Sequence, residues 1–163
     1  MAKNKEEKTN VMRVLEQKKI AYTAHTYPHE EGMAVDGVTV AQSMGFDPAI
    51  VFKTLVARGA SKQYYVFDVP VAENLDLKKA AKAVGEKSIE MLHQKELLPL
   101  TGYVHGGCSP VGMKKLFPTV IDASAENLET MIVSAGKIGY QVELAPRDLA
   151  ALVRAKFADI IAR

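Results

Sequence analysis

The sequence predicts an α/β fold: a single domain with a mixed β-sheet flanked by helices. Three observations carry this. Segments with β-branched, strand-like character interleave with segments of 3.6-residue apolar period, the pattern of a sheet covered by helices. The strand-like segments recur in hairpin-like pairs, which argues against a doubly wound parallel sheet. The 163 residues contain no repeat, low-complexity tract or linker-like break, so one core of ordinary size is expected.

The elements follow in order. Residues 1–8 read as a polar N-terminal leader of mixed charge, and 9–163 as the folded domain. Thr9 can cap a first helix that places Val11, Val14, Leu15 and Lys18 on one face. His25 to His29 reads as a strand end or extended turn, because Pro28 disfavours helix at the residue before it. Gly32 to Gly37 reads as loop, and Val38 to Met44 as a short helix closed by Gly45. Ile50–Ala57 and Tyr64–Val69 are strands, joined by a turn at Gly59–Lys62. Asp76–Val84 is a helix stopped by Gly85, and Leu92–Leu98 a short helix broken by Pro99. Thr119–Ala123, Thr130–Val133 and Gly139–Leu144 are strands. Pro146 opens a last helix, whose stripe of Leu149, Leu152, Val153, Phe157, Ile160 and Ile161 runs on to the C-terminus.

Composition excludes several classes. Cys108 is the only cysteine, so no internal disulfide forms, as suits a reducing compartment. The N-terminal residues carry no apolar stretch of the secretory kind. No apolar run approaches the roughly 18 residues of a membrane helix. The expected location is the cytoplasm, with no membrane and no DNA partner. A formal net charge of +2 permits contact with a polyanion without demanding it.

Three segments could carry chemistry. Lys53 lies in a strand whose two faces, Val51/Leu55/Ala57 and Ile50/Phe52/Thr54/Val56, are both apolar. A lysine there reaches a pocket or counter-charge, or else it snorkels to water from a strand edge. The segment Gly106-Gly107-Cys108-Ser109-Pro110-Val111-Gly112 combines permissive glycines with a rigid proline. It suits either a tight turn or a loop that aims N–H groups at a carbonyl or phosphate oxygen. It lacks the Gly-Lys-Ser/Thr ending of a Walker loop. Cys108 invites a nucleophile reading, but His105 three residues earlier is no proof of a spatial partner, and a small buried cysteine fits equally. Val133-Ser134-Ala135-Gly136-Lys137-Ile138-Gly139 is either a glycine-supported hairpin loop or a place where Ser134 offers its hydroxyl to a substrate. His25 and His29 are interrupted by Pro28 and show no zinc spacing, so neither metal nor other cofactor is expected.

Taken together, Val51-Phe52-Lys53-Thr54-Leu55, the run Gly102 to Lys115 and Val133-Ser134-Ala135-Gly136-Lys137 resemble the YbaK/EbsC family. These are relatives of the editing domain inserted in bacterial prolyl-tRNA synthetases. The motifs occur in the family's order and spacing, and the likeness runs from about Thr9 to the C-terminus. The resemblance implies a strongly curved mixed sheet and a trans-editing deacylase that hydrolyses Cys-tRNA(Pro). It matches Lys53 to the family's essential lysine and Gly106 and Pro110 to its Gly-x-x-x-Pro loop. Tyr27 matches an aromatic position of the pocket, and Ser134 a pocket serine. Gln141 stands where relatives often carry an acid.

In the mechanism these residues are expected to support, Lys53 holds the terminal phosphate or ribose of the tRNA acceptor end. Amides of the Gly106–Pro110 loop, with Gly107, Cys108 and Ser109 between, hold the ester carbonyl. The substrate's own thiol attacks its ester, and prolyl-tRNA synthetase is a partner. The rival readings are a sibling deacylase for another amino acid such as Ala-tRNA(Pro), a non-catalytic tRNA- or partner-binding module, and a cysteine-dependent hydrolase or redox protein built on Cys108.

Overall fold

The computed structural model describes residues 8–30 and 33–163. Most of the expected leader and Gly32 of the expected loop therefore lie outside the described residues. Helix α1 (Asn10–Gln17) opens under Thr9, whose side chain accepts the Met12 N–H. Val11, Met12 and Leu15 are buried beneath it. Strand β1 (Thr23–Thr26) leads through Tyr27 to α2 (Gly37–Met44), which is capped by Asp36 and closed by Gly45 in the left-handed region (φ 79°). Strands β2 (Phe52–Gly59) and β3 (Tyr64–Pro70) form the expected hairpin, with Lys53 opposite Val69 and Thr54 opposite Asp68.

The second half continues with α3 (Leu77–Val84), β4 (Ile89–Met91), α4 (Gln94–Thr101) and β5 (Thr119–Asp122). It ends with β6 (Met131–Lys137), β7 (Tyr140–Leu144), α5 (Pro146–Val153) and β8 (Lys156–Ala158). The expected single mixed sheet is in fact two. One is an antiparallel sheet in the order β1-β7-β6, and the other a mixed sheet in the order β4-β2-β3-β5-β8. A parallel bridge between Val51 and Ile132 joins them. The main core lies under α1 and α5, where Leu15, Met131, Val133, Val142, Leu144 and Leu149 are buried together. A second core packs α3 through Ala80 and Ala81 onto Phe67, Val69, Val120 and Ile160.

Two elements correct the sequence reading. The last helix does not run to Ile161. It ends at Arg154, whose φ of 57° is left-handed, and Ala155 donates back to the Ala150 carbonyl. The chain then becomes β8, parallel to β5, and Ile160 donates its N–H to the buried Asp122 carboxylate at 3.1 Å. The open edge of β5 and that carboxylate outweigh a periodicity in which Phe157 and Ile160 imitate a helical stripe. Pro99 also fails to break its helix. It sits inside the two-turn α4, at the cost of one helical hydrogen bond, and Lys114 donates to its carbonyl.

Candidate functional site

Strand β2 creates the site by changing neighbours along one edge. At Ala57–Gly59 that edge pairs with β4, and at Val51 it bridges to Ile132 of β6. Between these two partners the edge is uncovered. The Val56 carbonyl accepts the Leu92 N–H on this side. By the two-residue alternation of an antiparallel strand, the N–H and C=O of Thr54 point the same way. A cavity of about 360 Å³ fills the gap, and consecutive residues Val51 to Leu55 all line it because it runs along a strand edge. Its size falls in the range of small-molecule sites, about 300–1,000 Å³.

The other walls come from several segments. The start of α2 contributes Asp36 and Gly37, and β6 and β7 contribute the cross-strand pair Ser134 and Gln141. Tyr27 enters behind β1, fixed by its N–H to the Gly139 carbonyl at 3.0 Å. The loop after α4 adds His105, Gly106 and Cys108.

Lys53 is the cation of this cavity. It is half-buried, and among the described residues its ammonium makes no hydrogen bond and no ion pair within 4 Å. Burial pushes its pKa below the ordinary lysine value, against the opposing pull of Asp36 and then Glu73. Asp36 is already engaged in capping α2, where it accepts from Thr39 N–H and Oγ1. A desolvated ammonium without a partner is poised for an anionic ligand or a developing negative charge.

The glycine-rich loop divides into lining and scaffold. Gly106 lines the cavity with φ 89°, and a Cβ placed on it would stand 2.7 Å from the Ala34 Cβ. Gly107 does not line the cavity. Its N–H closes a turn on the Val104 carbonyl at 3.0 Å, and a Cβ placed on it would stand 3.2 Å from the Ile138 backbone nitrogen. That amide is engaged within the loop and not aimed at the cavity. Ser109 is fully buried and its Oγ accepts the Val111 N–H at 3.2 Å, which stiffens the loop from within. Pro110 faces a separate cavity of about 150 Å³ beside Val111 and Leu116. Of the residues singled out from sequence, the structure thus gathers Tyr27, Lys53, Gly106, Cys108 and Ser134 around one cavity. It leaves Gly107, Ser109 and Pro110 outside as supports.

Cys108 is a buried wall residue. Burial pushes its thiol up to about 12, with the charge of Asp68 adding to the shift, so thiolate is scarce at neutral pH. Among the described residues no histidine hydrogen-bonds it. Ser134 Oγ accepts from the Gly136 N–H at 3.0 Å, which leaves its proton to donate. Gln141 is buried opposite, and its Oε1 has no partner among the described residues.

Sequence reasoning missed Asp36 and Asp68, and it gave Thr54 and His105 no place in the site. Asp36 and His105 join Lys53 around the cavity only through tertiary structure, whereas Thr54 follows it in the strand. Asp68 carried a signal: a carboxylate in the middle of the otherwise apolar run Tyr64–Val69.

The site is thus a cavity at a strand edge of an α/β domain, bordered by Gly106 and holding the unpaired Lys53. The chain belongs to the aminoacyl-tRNA editing domain family, whose profile matches residues 29–152. Over 161 residues it is 46% identical to EbsC of Enterococcus faecalis, described as a candidate Cys-tRNA(Pro)/Cys-tRNA(Cys) deacylase, with 98% of each chain covered. A solved structure described as a candidate trans-editing enzyme for prolyl-tRNA synthetase superposes with a TM-score of 0.79. It is 26% identical, and the match covers 94% of this chain and 95% of that one. The hypothetical protein APE2540 has the same fold, with a TM-score of 0.82 at 20% identity, over 93% of this chain and 99% of that one.

Proposed function

We propose that this protein is a trans-editing aminoacyl-tRNA deacylase that removes cysteine from Cys-tRNA(Pro). The observation that carries the reading is the unpaired, desolvated Lys53 in a cavity sized for an aminoacyl group, within a chain 46% identical to EbsC. An aminoacyl ester is already activated, so positioning and charge stabilisation supply most of what catalysis needs. Lys53 holds the terminal phosphate or ribose and steadies negative charge near the ester. The outward N–H of Thr54 and the edge at Gly106 lie beside it and can hold the carbonyl.

Around the cavity, the one thiol is the buried Cys108, held largely protonated. This favours attack by the substrate's own thiol: the cysteine sulfur adds to its ester carbonyl, the ribose oxygen leaves and takes a proton, and a thiolactone is released. Alanine and proline have no such group. In this reading the protein works in the cytoplasm on the acceptor end of tRNA, beside prolyl-tRNA synthetase.

The test follows amino acid release from Cys-tRNA(Pro) and Ala-tRNA(Pro) in parallel. Loss of cysteine alone, with thiolactone as first product, supports the reading. Loss of alanine reassigns the chain to a sibling deacylase, and cleavage of neither leaves a tRNA-binding module.

A further inference from the structure

Among the described residues, two buried side-chain atoms lack any hydrogen-bond partner: Oδ2 of Asp68 and Oε1 of Gln141. Both belong to the same site. Gln141 lines the cavity, and Asp68 stands directly behind Thr54, which also lines it. Asp68 is completely buried, and its Oδ1 accepts the Thr54 hydroxyl proton at 2.6 Å. A buried carboxylate with an orphan oxygen costs stability, so its retention calls for a use.

The geometry supplies one. Because Thr54 Oγ1 gives its proton to Asp68, what it can offer the cavity is lone pairs. Gln141, on β7, lines the same cavity, and its unpartnered Oε1 is a second acceptor there. Two acceptors with a carboxylate behind one of them fit a cationic donor, and the aminoacyl group has one in its α-ammonium.

We propose that Asp68 is a positioning residue for the α-ammonium of the aminoacyl group, acting through Thr54 and facing Gln141. The inference rests on the aminoacyl-ester reading of the site, and it separates two ends of the cavity. Lys53 takes the anionic part of the substrate, and the Asp68–Thr54 pair takes the cationic part. It also gives Gln141 a defined task. A neutral acceptor there is sufficient when the charge comes from Asp68 behind Thr54. The groups around Asp68 are Thr54 on β2 and the Cys108 thiol of the loop, with apolar Ile121 opposite it on β5.

The test is binding to two stable amide analogues of the substrate end. One is 3′-cysteinylamino-3′-deoxyadenosine, and the other is its 3-mercaptopropionyl counterpart, which keeps the thiol but lacks the ammonium. The wild type is expected to favour the ammonium-bearing amide. Asp68→Asn keeps an acceptor for Thr54 but not the charge, and is expected to weaken that amide about tenfold, the scale of a charge-assisted hydrogen bond. The des-amino amide should change less than about twofold, within the ordinary scatter of a lost surface-scale interaction.

A wild type without preference, or an Asp68→Asn variant that weakens both amides equally or neither, overturns the proposal. If Asp68→Asn fails to fold, Thr54→Val must abolish the preference, and its persistence there overturns the proposal. Because these probes are not hydrolysed, an ammonium preference that depends on Asp68 without any cleavage of Cys-tRNA(Pro) would refute the deacylase reading alone.

Discussion

Three side chains of the cavity wall behave differently because their surroundings differ. Lys53 is desolvated but borders open space, so it can pair with a ligand. Cys108 is sealed, with its thiol pushed up to about 12 by burial, and should be inert. Cys108→Ala is expected to keep at least about a third of wild-type deacylation, since a wall substitution there costs packing and not chemistry. Alkylation by iodoacetamide at pH 8 should leave the rate unchanged, and complete inactivation would revive a cysteine nucleophile. Asp68 is pushed up to about 7 by burial, partly offset by the Thr54 hydroxyl, from an ordinary 3.8. Between about pH 4 and pH 7 the folded state then holds a proton that the unfolded chain has released, and above that window the carboxylate carries the charge that faces Thr54, so the amide-binding comparison belongs at pH 8. The proton's stability contribution is full below pH 4 and declines up to about pH 7, by at most about 4 kcal/mol at ~1.4 per pH unit. Asp68→Asn should therefore raise the melting temperature more at pH 8 than at pH 5. An equal change at both would show that the carboxylate does not titrate in this window.

Elements locate these residues, and most were legible in the sequence where local chemistry is decisive. Thr9, Asp76 and Pro146 open helices where their cap and first-turn chemistry predicts, and Gly45 and Gly85 close them. The hairpin of β2 and β3 also follows from its own residues. The end of α5 was not legible, because β8 is held by a partner strand and a carboxylate over 30 residues earlier in the chain. The site was legible in part for the same reason. Glycines and a strand lysine mark it, but the roles of Gly107 and Asp36 depend on contacts no local window contains. Gly106→Ala tests the loop at this scale. The residue has φ 89°, and its added methyl would press on Ala34. It should lose about 1–2 kcal/mol of stability, on the scale of a left-handed non-glycine residue, and deacylation should fall at least tenfold. Arg154→Gly, relieving a non-glycine residue held at φ 57°, is expected to raise the melting temperature slightly. A fall there would show that the Arg154 side chain supports the turn.

Among the described residues two sheets meet at a bridge, Val51 to Ile132, with the cavity beside it. That arrangement explains how a chain this small encloses a site: the pocket is the gap left where β2 hands its edge from β6 to β4. The walls come from all parts of the chain, from Tyr27 to Gln141, so the site exists only in the complete fold. No helix among the described residues is long and apolar enough to cross a membrane. With a net charge of only +2, attraction to tRNA should be weak and salt-sensitive, and the Michaelis constant should rise steeply with added salt while kcat changes little. A salt-independent constant would place recognition in the aminoacyl end alone.

The account turns on Lys53, and the most direct measurement is the single-turnover rate of cysteine release from Cys-tRNA(Pro) by wild type and Lys53→Ala, with both shown to be folded by their melting transitions. The structure predicts that removing this cation costs at least about a hundredfold in rate, the scale of one lost transition-state donor, while the melting temperature holds or rises because a desolvated, unpaired charge has gone. Retention of the wild-type rate in a folded Lys53→Ala protein would contradict the account and move the chemistry out of this cavity.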